Sequence, residues 1–289
     1  MFIHWFPGHM TKAYRLLEEN LRLVDSVIYV LDARAPISCI NEEFDKLIKN
    51  KPVLYVINKS DLISKFDLTQ CLNLFKKLNK TCVSTNSLSQ DGAKIVKEAL
   101  NSLHLNLIEK YTKKDAIRTP RSVVIGVPNC GKSSLINNLI KRKKLETANR
   151  PGVTRSIQWI KIDKNIELMD SPGLLFPDFK NQDKAFKLAA IGSIKDERFD
   201  FLELAEKLFT KILEIDPNII TSRYADIHKF NSSSTLENIA FSRGLLLSGG
   251  KPDIERAAKT FVTDFRKGFL GKVCLDLSLM QEDDVDKGE

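Results

Sequence analysis

The sequence predicts an α/β protein: a mostly parallel six-stranded sheet, followed by a small, mainly helical C-terminal domain. Three observations predict this. Short apolar runs rich in β-branched residues alternate with helix-like stretches as far as Met169. Such an alternation is what a parallel sheet covered by helices on both faces requires. Two polar motifs, Asn58-Lys59-Ser60-Asp61 and Gly126-Val127-Pro128-Asn129-Cys130-Gly131-Lys132-Ser133, each follow one of these runs directly. The carboxyl ends of strands are where open α/β sheets bind ligands. After Pro177 the strand runs give way to helical periodicity, which divides the chain into residues 1–177 and 178–289.

Taken in order, Met10, Ala13, Tyr14, Leu17, Leu21 and Val24 recur at helical spacing and predict a first helix over 10–24. Strands are expected at Ser26–Leu31, Val53–Ile57 and Cys82–Ser84, with helices at Glu42–Lys49 and Leu68–Leu78 between them. Residues 104–121 are polar and basic and read as a connector. Ser122–Ile125 is a buried strand that leads into the second motif, and Ser134–Lys141 starts the helix after it. Residues 144–153 are loop-like. Ser156–Ile162 and Ile166–Met169 form two strands about a turn at Lys164-Asn165. In the C-terminal part, Ile254, Ala257, Ala258, Phe261 and Phe265 mark a helix that Pro252 starts and Gly268 stops. A last strand run is read at Lys272–Leu277.

Composition narrows the class. The chain has 289 residues, 43% hydrophobic and 28% charged, as in soluble globular proteins. The best apolar run, Val27 to Leu31, is strand-sized, so no membrane partner is expected. No basic-then-apolar leader is read at the N-terminus. Five scattered cysteines with no C-x-x-C pair fit a reducing compartment without disulfides or a zinc site. Residues 281–289 carry −4, which leaves +12 on the rest of a chain of net charge +8. A basic body fits a polyanionic partner such as nucleic acid, or plain solubility; charge alone does not choose.

The second motif matches G-x-x-x-x-G-K-[ST] without deviation and sits between a strand and a helix, the context a phosphate loop needs. Backbone N–H groups of Asn129, Cys130, Gly131, Lys132, Ser133 and Ser134 are the candidates to turn toward phosphate oxygens. Lys132 adds a charge, and Ser133 a hydroxyl for Mg²⁺. Cys130 reads as a small residue of that loop. In the first motif, the Asp61 carboxylate can accept from the guanine ring N–H and exocyclic amine, a pattern adenine lacks. Asn58 can bond outward or brace the phosphate loop, the Lys59 stem can cover the base, and Ser60 completes the turn. Asn86 and Ser87, in Ser84-Thr85-Asn86-Ser87, lie where a loop backbone would support the guanine carbonyl. Asp170 and Gly173, in Asp170-Ser171-Pro172-Gly173, read as a Mg²⁺-side acid and a γ-phosphate contact. Thr154 reads as a switch threonine that closes on Mg²⁺. The base-reading motif precedes the phosphate loop, the reverse of the usual order, so the nucleotide domain reads as circularly permuted.

Together these residues resemble the circularly permuted GTPases, and specifically the ribosome biogenesis GTPase A family. The carriers are Trp5 to Met10, Asp32-Ala33-Arg34-Ala35-Pro36, the nucleotide motifs above, and the stretch from Gly249-Gly250 through Asp253, Arg256-Ala257-Ala258, Asp264-Phe265-Arg266 and Gly268. The resemblance implies GTP and GDP as ligands, GTP hydrolysis coupled to late maturation of the large ribosomal subunit, contact with rRNA, and a cytoplasmic location. A monomer is the default, since no dimer signature is visible. Leu174 stands where a glutamine would orient the attacking water, so catalysis needs another source. The resemblance implies His9 as a catalytic residue and Asn129 as a K⁺ ligand; a structural histidine and a loop-bracing asparagine are the plain alternatives. On helix 252–267, Arg256, Lys259, Arg266 and Lys267 are expected on outer faces, with Lys272 beyond, as an RNA-contacting surface. A competing reading is a GTP-gated RNA-binding switch in which hydrolysis is incidental. A phosphate-loop enzyme that modifies nucleotides would need its own nucleophile or acid–base pair, and none is visible.

Overall fold

A computed structural model describes residue 15 and residues 18–89, 91–112, 118–140, 159–163, 166–169, 181–224 and 232–276. The expected strands are β1 (Ser26–Asp32), β2 (Val53–Asn58), β3 (Cys82–Ser84), β4 (Arg121–Ile125), β5 (Trp159–Asp163) and β6 (Ile166–Met169). They form one six-stranded sheet of order β3-β2-β1-β4-β6-β5. All pairings are parallel except β5 with β6. β1 is buried along its whole length because it lies inside the sheet with both faces covered. Its register runs from Val27 opposite Val53 to Asp32 opposite Asn58, so the carboxyl ends of β1 and β2 finish level. The chain order reverses direction across the sheet between β1 and β4. That switch point is where such sheets open a crevice for a ligand.

Helices α1 (Glu42–Ile48), α2 (Lys65–Lys77) and α3 (Gly92–Thr112) connect the parallel strands, and α4 (Lys132–Ile140) follows β4. Ser64 caps α2 by accepting from the Asp67 N–H at 3.0 Å. α3 corrects the connector reading of 104–121, since the helix runs through Thr112. Its buried stripe is Ala93, Val96, Leu100 and His104. A histidine in the last core position hid the periodicity. His104 Nε2 lies 2.8 Å from Ser26 Oγ and 3.3 Å from Ser122 Oγ, so a polar cluster at the start of β1 and β4 accommodates the ring. Residues 10–14, 16 and 17 of the helix expected over 10–24 lie outside the described residues; positions 15 and 18–21 are helical, and the helix ends before Val24.

The C-terminal part is helical: α5 (Gln182–Ala190), α6 (Phe201–Ile215), α7 (Asn218–Arg223), α8 (Ser232–Ser242) and α9 (Ile254–Arg266). The boundary expected near 177 lies outside the described residues. α9 buries Ala257, Ala258, Phe261, Val262 and Phe265. Asp253 caps it, and Gly268 (φ 77°) ends it in the left-handed region. A Cβ at Gly268 would lie 2.7 Å from Leu62 Cδ2, so this terminus packs against the first half of the chain.

Two expectations for this part change. Lys272–Leu277 is not a strand over its described residues. It lies against the sheet's loops, irregular at first and turning at Leu275-Asp276: Val273 N–H donates to Leu62 O (3.2 Å) and Leu275 N–H to Arg34 O (2.7 Å). Its apolar character reflects burial there, without a β ladder. Asp276 ends the run by accepting from Ser38 N–H (2.9 Å) and Ser38 Oγ (2.7 Å) and pairing with buried Lys187 at 3.1 Å. Arg256, Lys259, Lys267 and Lys272 are exposed as expected, but Arg266 turns inward. Its guanidinium donates to Ala190 O (3.2 Å) and Ala189 O (2.8 Å) and pairs with Asp196 at 2.9 Å. A cation at the end of α5 satisfies carbonyls the helix leaves open. Among the described residues no helix is long and apolar enough to cross a membrane.

Candidate functional site

The site is built where the carboxyl ends of β1, β2, β3 and β4 meet. The loop from Gly126 to Lys132 joins β4 to α4. It turns through left-handed backbone at Asn129 (φ 59°) and Gly131 (φ 98°). At Gly131 a side chain is excluded twice, by that φ and by Asn58, whose Nδ2 would lie 2.1 Å from an added Cβ. Lys132 is buried and donates from Nζ to Gly126 O (2.9 Å) and Val127 O (2.6 Å). Its charge therefore sits within the loop's curve, as a phosphate-binding lysine must. Ser133, at the start of α4, is exposed, and Ser134 follows it half-buried.

Asn58 resolves its two readings in favour of bracing. Its Nδ2 donates to Cys130 O at 2.8 Å. Its Oδ1 accepts from Ser87 N–H (2.9 Å) and Ser87 Oγ (2.7 Å). One buried amide thus ties the phosphate loop, the end of β2 and the loop after β3 into a unit. Motifs 72 residues apart in sequence become neighbours in space. Lys59, in the left-handed region (φ 58°), stretches over the phosphate loop and donates to Asn129 O at 2.6 Å. It also pairs with Asp32 at 2.7 Å.

Asp61 follows on the short 3-10 turn Ser60–Leu62, exposed and with no partner among the described residues. The turn is pinned to the third loop by Ser60 N–H donating to Thr85 O at 3.2 Å. In that loop Ser87 spends its N–H on Asn58, while the Asn86 N–H donates to no group among the described residues. A free acceptor (Asp61) and a free backbone donor (Asn86) on joined turns match the N–H and C=O edge of guanine.

Cys130 is fully buried, and burial pushes its thiol up, against the opposing pull of Lys132. It is a packing residue, with no exposed thiolate. Asn129 is exposed, and its Nδ2 donates to Gly192 O, just past α5, at 2.7 Å. His9, Thr154, Asp170 and Gly173 lie outside the described residues. Of the three expected Mg²⁺ ligands only Ser133 is therefore described, and its exposed hydroxyl fits that use.

Two features were not read from the sequence as parts of a site. Asp32 and Arg34 form a buried pair with two parallel bonds, Nε to Oδ1 at 2.9 Å and Nη2 to Oδ2 at 2.8 Å. Asp32 holds Lys59 in turn, so this pair sets the position of the lysine that covers the phosphate loop. The signal was present, since opposite charges two residues apart at the end of a buried strand are costly unless paired. The second is the Gly192-Ser193 turn, which had no signal of its own.

Comparison with known proteins agrees with this geometry. A family model described as 50S ribosome-binding GTPase matches residues 121–223. Ribosome biogenesis GTPase A of Bacillus cereus is 35% identical over 279 residues, covering 96% of this chain and 94% of its own length. The protein of that name from Thermotoga maritima is 31% identical over 275 residues, covering 94% and 93%. Among solved structures, GNP-bound YlqF from T. maritima superposes with a TM-score of 0.67 at 30% identity, covering 91% of this chain and 97% of that one. The GDP-bound form gives 0.65 at 30% identity, covering 90% and 98%. On this similarity along nearly its whole length, the chain belongs to the ribosome biogenesis GTPase A family and is a GTPase.

Proposed function

We propose that this GTPase drives a late step in assembly of the large ribosomal subunit, contacting rRNA, in the cytoplasm and as a monomer. The observation that carries the proposal is the unit made by Asn58: base-reading turn and phosphate loop held together, on a chain whose charge outside the tail is +12. The relatives' shared name supplies the process, and the family model's description supplies a ribosomal partner. Arg256, Lys259, Lys267 and Lys272 remain exposed for phosphate contacts. Arg266 leaves the proposed RNA surface because its charge is used internally.

In this reading the N–H groups of the phosphate loop and Lys132 bind the nucleotide's phosphates, and Asp61 with the Asn86 N–H selects guanine. Ser133, Thr154 and Asp170 would hold Mg²⁺, which supplies charge neutralisation at the phosphates when bound. Gly173 is assigned to the γ-phosphate. Leu174 cannot orient water, so His9 is assigned that role. Asn129 is assigned to K⁺ through its side-chain oxygen; its Nδ2 bond to Gly192 leaves that oxygen available. The test is co-sedimentation with purified large or small ribosomal subunits, with a non-hydrolysable GTP analogue or GDP. Binding to the large subunit that is stronger with the analogue, and falls steeply with salt, is expected. Equal binding to both subunits in both nucleotide states would refute the proposal.

A further inference from the structure

The helical C-terminal part does more than follow the nucleotide site in sequence; it holds the site's loops at several points. At the phosphate loop, Gly192 O accepts from Asn129 Nδ2 (2.7 Å), and Ser193 Oγ donates to Pro128 O (2.8 Å). Two successive loop residues are thus gripped by two successive residues of one turn. The turn itself is bonded back to its own helix. Ser193 is buried, its N–H donates to Leu188 O at 2.8 Å, and the Gly192 N–H donates to Ala189 O at 3.0 Å. Arg266, from α9, caps the same helix end. At the base side, Leu62 beside Asp61 receives the Val273 N–H and packs against Gly268. Between the two grips, Arg34 donates to Arg266 O (3.0 Å) and Ile191 O (3.3 Å) while it holds Asp32, and Asp32 holds Lys59.

We infer that the Gly192–Ser193 turn is a positioning element of the phosphate loop, through which the C-terminal helices set how long a guanine nucleotide stays bound. This rests on the nucleotide-site reading above. Pro128 and Asn129 form the loop's tip, where no strand or helix holds the backbone. Asn129 adopts left-handed backbone, which asparagine tolerates, so the position of the tip depends on the contacts that hold it from outside. Ser193 and Gly192 supply that fixing beside Lys59, which donates to Asn129 O, and Arg266 ties their turn to α9, the helix with the exposed basic residues. A partner that shifts α9 would therefore loosen or tighten the loop, and by reciprocity nucleotide occupancy would change the partner's affinity. Ser193 acts on the loop through Pro128.

The experiment measures dissociation of a fluorescent GDP analogue from the full chain and from Ser193→Ala and Ser193→Thr. The Ala variant is expected to release GDP about two- to tenfold faster, the worth of one hydrogen bond. The Thr variant, which keeps the hydroxyl, is expected to release it at the unsubstituted rate. An unchanged rate in the Ala variant, or equal acceleration in both, overturns the inference. If the Ala variant fails to fold, amide exchange of the unsubstituted chain decides. Slower exchange across residues 189–196 with GDP supports the inference, and exchange indifferent to GDP overturns it. If the unsubstituted chain retains no GDP at all, the nucleotide-site reading fails, and this inference with it.

Discussion

Asp61→Asn is expected to lower affinity for GDP and GTP by roughly 10²- to 10⁴-fold while leaving the fold intact. The fold should hold because Asp61 is exposed and bonded to nothing among the described residues, so its replacement costs little stability. The affinity should collapse because guanine presents two donors on one edge, and only a carboxylate accepts both. An amide accepts one and sets a donor against the other, and sites built around a substrate's hydrogen bonds discriminate at this scale. The same change should improve binding of xanthine nucleotides, which carry a carbonyl where guanine carries its amine. Competition among GDP, XDP and ADP against both proteins checks the prediction. An Asn variant that still prefers GDP would mean that Asp61 does not face the base.

The second large effect is on stability. Arg34→Leu is expected to cost about 3–5 kcal/mol, because it leaves the buried Asp32 carboxylate with only Lys59 as counter-charge. It also removes the Phe265 contact, where the guanidinium lies 5.4 Å from the ring centroid, and two bonds to the C-terminal helices. Burial by itself would raise the Asp32 pKa, but the charge and hydrogen bonds of Arg34, then those of Lys59, outweigh it and hold the carboxyl below its ordinary value. A carboxyl lowered in the native state contributes stability that is present above its unfolded pKa, near 3.9, and is lost as pH falls through the native value. In the Leu variant the native pKa rises, so acid unfolding should begin at a higher pH. Urea unfolding at neutral pH and an acid titration measure both. Substituting Asp32→Asn together with Arg34→Leu should cost less than Arg34→Leu alone, since no buried charge is then abandoned.

Much of the fold was legible because it follows from local rules. β1, β2 and β4 are near-continuous apolar runs that end at motifs, which is how parallel strands inside a covered sheet must look. α9 showed its face, its start and its stop. Failures came where tertiary contacts override pattern. His104 broke the apolar stripe of α3 because its polarity is satisfied by Ser26 and Ser122, far off in sequence. Val273 to Asp276 looked like a strand because a buried irregular segment and a strand share one composition. Arg266 looked like surface because nothing in the sequence says that a helix end 77 residues earlier needs a cation.

The site divided in the same way. Asn58, Lys59, Asp61, Lys132 and Ser133 could be singled out in the sequence, since the chemistry proposed for phosphate and guanine asks for those residue types at fixed spacing. The partners that aim them were not. Ser87 on Asn58 and Asp32 on Lys59 are set by which loops the sheet order brings together, and Ser193 on Pro128 by how the C-terminal helices pack on the phosphate loop. Sequence spacing carries no record of that order.

The most direct test of the account is GTP hydrolysis in KCl, alone and with purified large or small ribosomal subunits. The account predicts slow hydrolysis alone and strong stimulation by the large subunit only. It also predicts that His9→Ala abolishes the stimulated rate. Equal rates under all three conditions, or stimulation by the small subunit instead, would contradict it.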